Sequence, residues 1–87
     1  MTNPAIITLT KDTWVAVVTN VTNGVIHVTV PTTQMLQTYV DTGDPAPTTN
    51  DLAVAITSRT LEILNDVAID VYMKAVGAAG AVRVDLV

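Results

Sequence analysis

The last third of the chain constrains the fold more than any other segment. Residues 67–76 (VAIDVYMKAV) and 81–87 (AVRVDLV) are both rich in β-branched residues, and residues 77–80 (GAAG) separate them. β-Branched side chains favour extended strands, because their restricted χ1 angles cost them in helices. The pattern predicts a closing β-hairpin whose second strand runs to Val87, so that the terminal residue is held against a neighbouring surface.

The register of this hairpin predicts which of its side chains form the core. With the turn centred on residues 77–80, the side chains that alternate toward the core are Val71, Met73, Ala75, Val82, Val84 and Leu86. The outer face then carries Asp70, Tyr72, Lys74, Arg83, Asp85 and Val87. Lys74 and Arg83 oppose each other directly in this register, which is unfavourable. An outer face of this kind is unusual for an isolated domain and favours a role in an assembly.

A second hairpin is predicted near the start of the chain. Residues 13–22 and 25–30 are strand-like, and Asn23-Gly24 between them is typical of a two-residue type I′ turn. This register places a set of apolar side chains on one face: Val17, Val21, Ile26, Val28 and Val30.

The middle of the chain contains shorter elements. Residues 34–40 are a short strand or an irregular segment, and residues 41–51 are a loop rich in Gly, Pro and Asp. Residues 52–64 fit two strands around a turn at residues 57–60 better than they fit a helix capped at Thr49 or Asn50. The strand interpretation is favoured because the neighbouring elements are strands.

Together these elements predict a single all-β domain. About seven or eight short strands, with turns at intervals of roughly 8–12 residues, are typical of an antiparallel β-sandwich or a small barrel. Residues 13–87 form this sandwich domain. Residues 1–12 form an N-terminal arm, which is either an edge strand or a segment that lies on a neighbouring subunit.

Composition argues against several classes of function. The chain of 87 residues has no cysteine and one histidine, so neither a disulfide framework nor a structural zinc site is expected. The four Lys and Arg residues are scattered and the net charge is −4, which argues against binding nucleic acid through its phosphates. No stretch is apolar over the roughly 18 residues of a membrane-spanning segment, and the N-terminus lacks the features of a signal peptide. We therefore expect synthesis in the cytoplasm and no membrane partner.

The apolar content of the chain points to association. Apolar residues make up 49% of the chain and charged residues 14%, against about 25% charged residues in a typical globular domain. A domain of this size buries only about 60% of the surface that its unfolded chain exposes, so much apolar surface stays near the outside. We expect a homo-oligomer or a larger assembly, with an unusually apolar monomer as the alternative.

No catalytic or metal-binding motif emerges from the residues. His27 has no nucleophile or carboxylate partner nearby in the sequence and is expected to bond to Asn20 across the first hairpin. Asp41, Asp44 and Asp51 share one loop, but their spacing is not that of an EF-hand and favours a role in turns. We predict no enzyme activity, no cofactor and no metal.

Apolar and aromatic residues near the predicted edges are the candidates for an interface. Trp14 is the single tryptophan; its expected place is the core, with an interface hot spot as the alternative. The two termini add further candidates because both belong to exposed edges. The complete set is Ile6, Ile7, Leu9, Trp14, Tyr72, Arg83 and Val87.

The order of these signals resembles that of a family of virion proteins. A Trp-containing first strand (TWVAVVTNVTNG) precedes a central strand (VIHVTV), a TGDPAPT loop and the closing segment DVYMKAVGAAGAVRVDLV. The chain is similar in this respect to small β-sandwich proteins of tailed phages, namely head decoration (cement) proteins and similar auxiliary proteins. In that family a -VYxKA- strand, a short turn and a -VRV- or -VxV- strand commonly close the domain. The matching positions are Val71, Tyr72, Lys74, Ala75, Val82, Arg83 and Val84.

The resemblance implies a structural function without catalysis. Such proteins sit on capsid lattices, often as trimers, or at fibre and tail joints. For this chain the resemblance implies a homotrimeric decoration protein on the capsid surface of the virion, which stabilises the head by bridging major capsid protein subunits. The alternatives are a tail, neck or fibre-base module, and a carbohydrate-binding module centred on Trp14. The plain N-terminal arm lacks the additional domain that some decoration proteins carry.

Overall fold

The computed structural model describes residues 5–51 and 53–86, and its regular elements there are β-strands. The strands are β1 (Ala5–Leu9), β2 (Val15–Val30), β3 (Gln34–Asp41), β4 (Val54–Ala55), β5 (Thr60–Val76) and β6 (Gly80–Leu86). They form one antiparallel sheet in the order β1-β6-β2-β5-β3-β4. The predicted all-β antiparallel fold is confirmed. The described residues form six strands, fewer than expected, because β2 and β5 are each longer than the sequence suggested.

β2 and β5 are too long to be straight. At about 3.3 Å per residue, a straight strand as long as β2 would span roughly 50 Å, whereas the longest dimension of the molecule is 32 Å. The pairing between β2 and β5 shifts register at three places between Ala16 and Asn23. Bulges of this kind bend a strand and increase its twist. Both strands therefore turn through the molecule instead of running along one face.

The bends divide the one sheet into two halves around a common core, an arrangement compatible with a sandwich or a small barrel, and we call these halves the first and second layers. In the first layer, residues 15–21 of β2 pair with residues 69–73 of β5, and β3 and β4 follow beyond β5. In the second layer, residues 23–27 of β2 pair with residues 60–64 of β5, and β6 and β1 follow beyond β2. The core between the layers contains Leu9, Val17, Val18, Val21, Ile26, Val28, Met35, Ile63, Ile69, Val71, Met73, Ala75, Val82 and Val84.

The hairpin predicted at Asn23-Gly24 is wrong. Both residues lie inside β2, where they pair with Leu64 and Ile63 of β5. The left-handed backbone of this region belongs instead to Asn20, with φ of 55°. Asparagine tolerates this conformation better than most residues. The chain reverses here by bending from one layer to the other, and not by pairing with itself.

The side chains predicted for one face of that hairpin still reach the core, with one exception. Val17, Val21, Ile26 and Val28 are buried, whereas Val30 is 51% exposed. Odd-numbered positions before the bend and even-numbered positions after it face the same way, because the bulges shift the alternation of the strand. The same residues are buried for a reason different from the one that the sequence suggested.

The closing segment also crosses between layers and is not a hairpin. In the part of the chain that the structure describes, β6 pairs with β1 and β2 and has no ladder with β5. The predicted core positions are nevertheless correct for Val71, Met73, Ala75, Val82 and Val84. Lys74 pairs with Leu36 on β3. Arg83 pairs with Ile6 and His27, so the predicted opposition of Lys74 and Arg83 is wrong.

The remaining segments agree more closely with expectation. Residues 5–9 form an edge strand, and the loop predicted at residues 41–51 follows β3. The strand interpretation of residues 52–64 is confirmed by β4 and by the start of β5. Residues 1–4, Leu52, Val87 and the side chain of Leu86 lie outside the described part of the chain, and with them the expectations placed on Leu86 and Val87.

Gly80 marks the entry of the chain into the second layer and has no room for a side chain. A Cβ atom there would lie 2.8 Å from the carbonyl oxygen of Val30 and 3.3 Å from Cγ2 of Thr32. We expect Gly80→Ala to lower the free energy of unfolding by about 1–3 kcal/mol, measured by urea denaturation. Ala79→Ser, exposed in the same turn, is the control and should change little. Wild-type stability of Gly80→Ala would contradict the close approach of the two backbones.

Candidate functional site

Three of the large apolar side chains that are exposed among the described residues lie together at one open side of the sandwich. Tyr39, Val54 and Leu64 are 64%, 62% and 77% exposed, and all three line one groove of about 290 Å³. Val67, three residues after Leu64 on β5, is also exposed. We call this cavity the β3–β5 groove. Its lining includes Gln37, Tyr39, Val54, Leu61, Leu64 and Ile69.

The groove exists because the second layer ends early on this side. Residues 60–64 of β5 pair with β2, and no strand of the described chain pairs with their other side. In an antiparallel ladder, alternate residues bond to each neighbouring strand. The N–H group of Val28 donates to the carbonyl oxygen of Arg59 at 2.7 Å. Counting along the ladder from that bond, Glu62 and Leu64 direct their backbone groups outward, along what we call the β5 edge (residues 60–64).

Ser58 covers the first position of the β5 edge. Its hydroxyl accepts a hydrogen bond from the N–H group of Thr60 at 3.3 Å and donates to the carbonyl oxygen of Thr60 at 3.2 Å. The backbone groups of Thr60 are thus bonded within the chain, whereas the outward backbone groups of Glu62 and Leu64 remain available to a partner. An uncapped strand edge presents a row of donors and acceptors to another extended chain.

None of the interface candidates that the structure describes lines this groove. Of its exposed apolar residues Tyr39, Val54 and Leu64, Leu64 is the one that leaves a signal in the sequence. Leu61 and Ile63 alternate toward the core, with Ile63 buried, so Leu64 falls on the outer face. An apolar residue out of phase with an otherwise regular alternation is a usable signal for a surface contact. The alternation of apolar and polar residues is interrupted after Leu64, at Asn65, where β5 bends. There the Asn65 side-chain amide donates to the carbonyl oxygen of Val67 at 2.8 Å.

β1 forms the opposite edge of the second layer. It pairs with β6 from Ala5↔Val84 to Leu9↔Gly80, and no described strand lies beyond it. Among the interface candidates, Ile6 is 63% exposed and Ile7 is half-buried. Leu9 is fully buried in the core of its own chain, so its choice as an interface residue is wrong. The alternation along β1 turns Leu9 inward with Ile7 and turns Ile6 outward.

The other interface candidates are distributed over the molecule. Trp14 is half-buried just before β2, its indole N–H is buried without a hydrogen-bond partner among the described residues, and Lys74 Nζ lies 5.7 Å from its ring centroid. Tyr72 is half-buried on β5 beside Thr38 of β3. Arg83 is exposed on β6, next to Ile6. Among the members of this set that the structure describes, Ile6 and Arg83 are the ones brought together as an exposed pair.

Three polar side chains meet on the outer face of the second layer. His27 Nε2 lies 3.2 Å from Asp85 Oδ2, and Arg83 Nε donates to Asp85 Oδ1 at 3.3 Å. The predicted contact of His27 with Asn20 is therefore wrong, because Asn20 lies at the bend and His27 lies in the second layer. All three side chains are partly exposed to water, and such pairs contribute little to stability.

Asp70 is buried, contrary to its predicted place on an exposed outer face. Only 8% of it is exposed, and its Oδ1 accepts hydrogen bonds from the Asn20 N–H group at 2.8 Å and from the Thr42 hydroxyl at 2.9 Å. These bonds join the bend of β2 and the end of β3 to β5. The carboxyl group thus has a structural role at the place where the sheet folds over.

The described residues contain no cluster of side chains suited to a metal ion and no membrane-spanning helix. Within residues 5–51 and 53–86, no group of three or more His, Asp or Glu side chains could hold a metal ion. No helix long and apolar enough to cross a membrane occurs in the same residues. Comparisons of the chain with family models, with curated proteins and with solved structures gave no significant match.

Proposed function

We propose that this chain is a non-enzymatic structural protein of a phage virion, and in its most specific form a capsid decoration or cement protein. The observation that carries the proposal is the group of exposed apolar side chains at the groove, Tyr39, Val54 and Leu64, with a further one, Ile6, exposed at the opposite edge on β1. Contiguous apolar surface of this kind marks interaction sites. The virion setting comes from the resemblance of the closing segment, at Val71–Ala75 and Val82–Val84, to that family.

The proposed mechanism is burial of these edges against neighbouring subunits. Each apolar square ångström removed from water contributes about 25 cal/mol before the costs of association are subtracted. An open strand edge adds backbone hydrogen bonds to any extended segment that joins it. Many identical copies on one lattice make modest single contacts sufficient. The protein would strengthen the shell by covering the joints between capsid subunits, with a homotrimer as the proposed unit.

The position of Trp14 favours this function over carbohydrate binding. A sugar platform needs an exposed aromatic face, whereas Trp14 is half-buried and has the Lys74 ammonium group near its ring. Tyr39 is an exposed aromatic residue, but it lies in a groove whose lining is mainly apolar. This arrangement is better suited to packing against protein.

The test is binding to capsids of the phage that encodes the chain. We expect the purified protein to sediment with expanded capsids lacking it and to form a regular array by electron microscopy. Tyr39→Lys should weaken this binding roughly tenfold, since a side chain in the groove then carries a charge. Val30→Lys, which changes an exposed apolar residue outside the groove, is the matched control and should bind normally.

Two results would contradict this assignment. Sedimentation with tails and not with heads would move the chain to a tail, neck or fibre-base position. Failure to bind any part of the particle would remove the virion function altogether.

A further inference from the structure

We infer that copies of this chain associate head to tail, with the β1 edge of one copy paired to the β5 edge of the next. The partner surface is therefore a second copy of the chain itself. This interface would hold together the homo-oligomer of the proposed function. The biological setting of the interface, although not its existence, rests on that proposed function. The contact involves Ile6 and Thr8 on one side and Glu62 and Leu64 on the other.

Both edges belong to the same layer of the sandwich. The second layer runs from residues 60–64 of β5 through β2 and β6 to β1. Among the described residues, β1 and residues 60–64 each form a strand ladder on one side only; just past the end of β1, Lys11 makes an isolated bridge to Ala75 of β5. Unpaired strand edges are templates for pairing with another chain. A second copy in the same orientation would continue this layer as one sheet across the contact.

The strand directions suit this arrangement. Each of the three neighbouring pairs in the layer is antiparallel, so β1 runs opposite to β5. When two copies lie side by side in the same orientation, β1 of one is consequently antiparallel to β5 of the next. The new pair has the same geometry as every strand ladder within the chain.

The hydrogen-bonding groups of both edges also face the contact. The bond from Val28 N–H to the Arg59 carbonyl fixes which residues of β2 bond to β5. Following the alternation across β6 to β1, Ile6 and Thr8 direct their N–H and carbonyl groups away from the chain. On the other edge, Glu62 and Leu64 do the same. Both sides therefore offer donors and acceptors at every second residue.

Side chains select one register for the pair. Ile6 is 63% exposed and Leu64 is 77% exposed, and both lie on the outer face of the layer. Placing Ile6 opposite Leu64 makes them neighbours across the contact and sets Thr8 opposite Glu62. Apolar pairs directly opposite each other stabilise a sheet. The β1 strand of the second copy then lies along the mouth of the β3–β5 groove and covers part of its apolar lining.

Charges favour two different edges over two identical ones. Residues 60–68 contain Glu62 and Asp66 and no Lys or Arg, whereas the β1 side is close to neutral, because Lys11 is followed directly by Asp12. Arg83 also lies beside Ile6 on the β1 side, where it is paired with Asp85. Pairing two β5 edges would bring acidic residues together, and like charges across a sheet are destabilising. A heterologous contact of this kind closes into a ring when its rotation permits.

Engineered cysteines test the contact directly, because the natural chain has none. Ile6→Cys and Leu64→Cys are prepared as separate proteins, mixed and oxidised. At paired positions the Cα atoms would lie about 5.5 Å apart, which suits a disulfide. We expect the mixture to give a cross-linked dimer joining residues 6 and 64, identified by mass spectrometry. Replacing Ile6→Cys by Val30→Cys, at an exposed valine away from both edges, should abolish the product.

A second measurement follows association without cysteines. Leu64→Lys should leave the circular dichroism spectrum unchanged, since the side chain is exposed in the single chain. It should weaken self-association about thirtyfold in sedimentation equilibrium. Cross-links that join residue 6 to residue 6, or residue 64 to residue 64, in preference to the mixed product would overturn the inference. So would a monomeric wild-type protein with no cross-linking.

These experiments need no capsid, so their outcome is separate from that of the proposed function. Binding of a strictly monomeric protein to capsids would support the proposed function and refute the head-to-tail contact. Head-to-tail cross-linking by a protein that binds no particle would support the head-to-tail contact and refute the proposed function.

Discussion

Asp70→Ala is expected to lower the free energy of unfolding by about 2–4 kcal/mol, measured by urea denaturation. The change removes the oxygen that accepts hydrogen bonds from the Asn20 N–H group and the Thr42 hydroxyl. Hydrogen bonds to a carboxylate contribute about 1.5–3 kcal/mol each, and donors left without an acceptor add a desolvation cost. Asp66→Ala, at an exposed position of the same strand, is the matched control and should change stability by less than about 0.5 kcal/mol.

The position of Asp70 gives this prediction a local signature as well. Asn20 has a positive φ of 55°, a conformation that costs free energy unless its surroundings hold it. Without the Asp70 oxygen, we expect the Asn20 amide to exchange with solvent faster than the amides of the neighbouring β2 residues. Asp70→Asn keeps a carbonyl oxygen as acceptor and should be intermediate. An Asp70→Ala protein with wild-type stability and an unchanged rate of amide exchange at Asn20 would show that the bend does not depend on Asp70.

The core of the closing segment could be predicted from the sequence, although its strand partners could not. Alternation along an extended backbone decides which side chains share a face, whichever strand lies beside it. Met73 and Val82 are therefore buried as expected, even though they belong to strands that do not pair with each other among the described residues. A face is a local property of the chain, whereas a partner depends on the whole fold.

The hairpin at Asn23-Gly24 fails for the same reason. The dipeptide is a strong local turn signal, but here both residues pair with β5 within a long ladder. Tertiary pairing on both sides of β2 overrides the local preference. The chain instead bends at Asn20, where a single residue with positive φ and its bond to Asp70 take the place of a tight turn. The residue that bends is local to β2, but the hydrogen bond that stabilises the bend joins residues 50 positions apart in the sequence.

The candidate site was predictable only in part. Ile6 could be placed at a possible edge, because residues 1–12 are expected to form either an edge strand or an arm on a neighbouring subunit. Leu64 could not, since whether a strand edge is open depends on the order of strands in the sheet, and that order follows from the bends in β2 and β5. The β3–β5 groove is a consequence of this topology. Its lining comes from four separate strands, which no local pattern connects.

The same substitution to alanine should change different properties at two residues of β1: the stability of the chain at Leu9 and its self-association at Ile6. Leu9 is fully buried in the core, and we expect Leu9→Ala to lower the free energy of unfolding by about 2–5 kcal/mol through lost burial and a residual cavity. A small domain is stable by only about 5–15 kcal/mol in total. Thermal denaturation of Leu9→Ala should therefore begin at a much lower temperature, or the protein should fail to accumulate in folded form.

Ile6→Ala is the matched variant three residues away, on the opposite face of the same edge strand. Its side chain is 63% exposed, so we expect a change in the free energy of unfolding of less than about 0.5 kcal/mol. The same variant should weaken self-association, because Ile6 is the apolar residue that the β1 edge offers to a second copy. Sedimentation and denaturation of both variants separate the two functions of β1, since one face holds the chain folded and the other binds a neighbour. A large loss of stability in Ile6→Ala, with Leu9→Ala unaffected, would mean that the alternation along β1 is reversed.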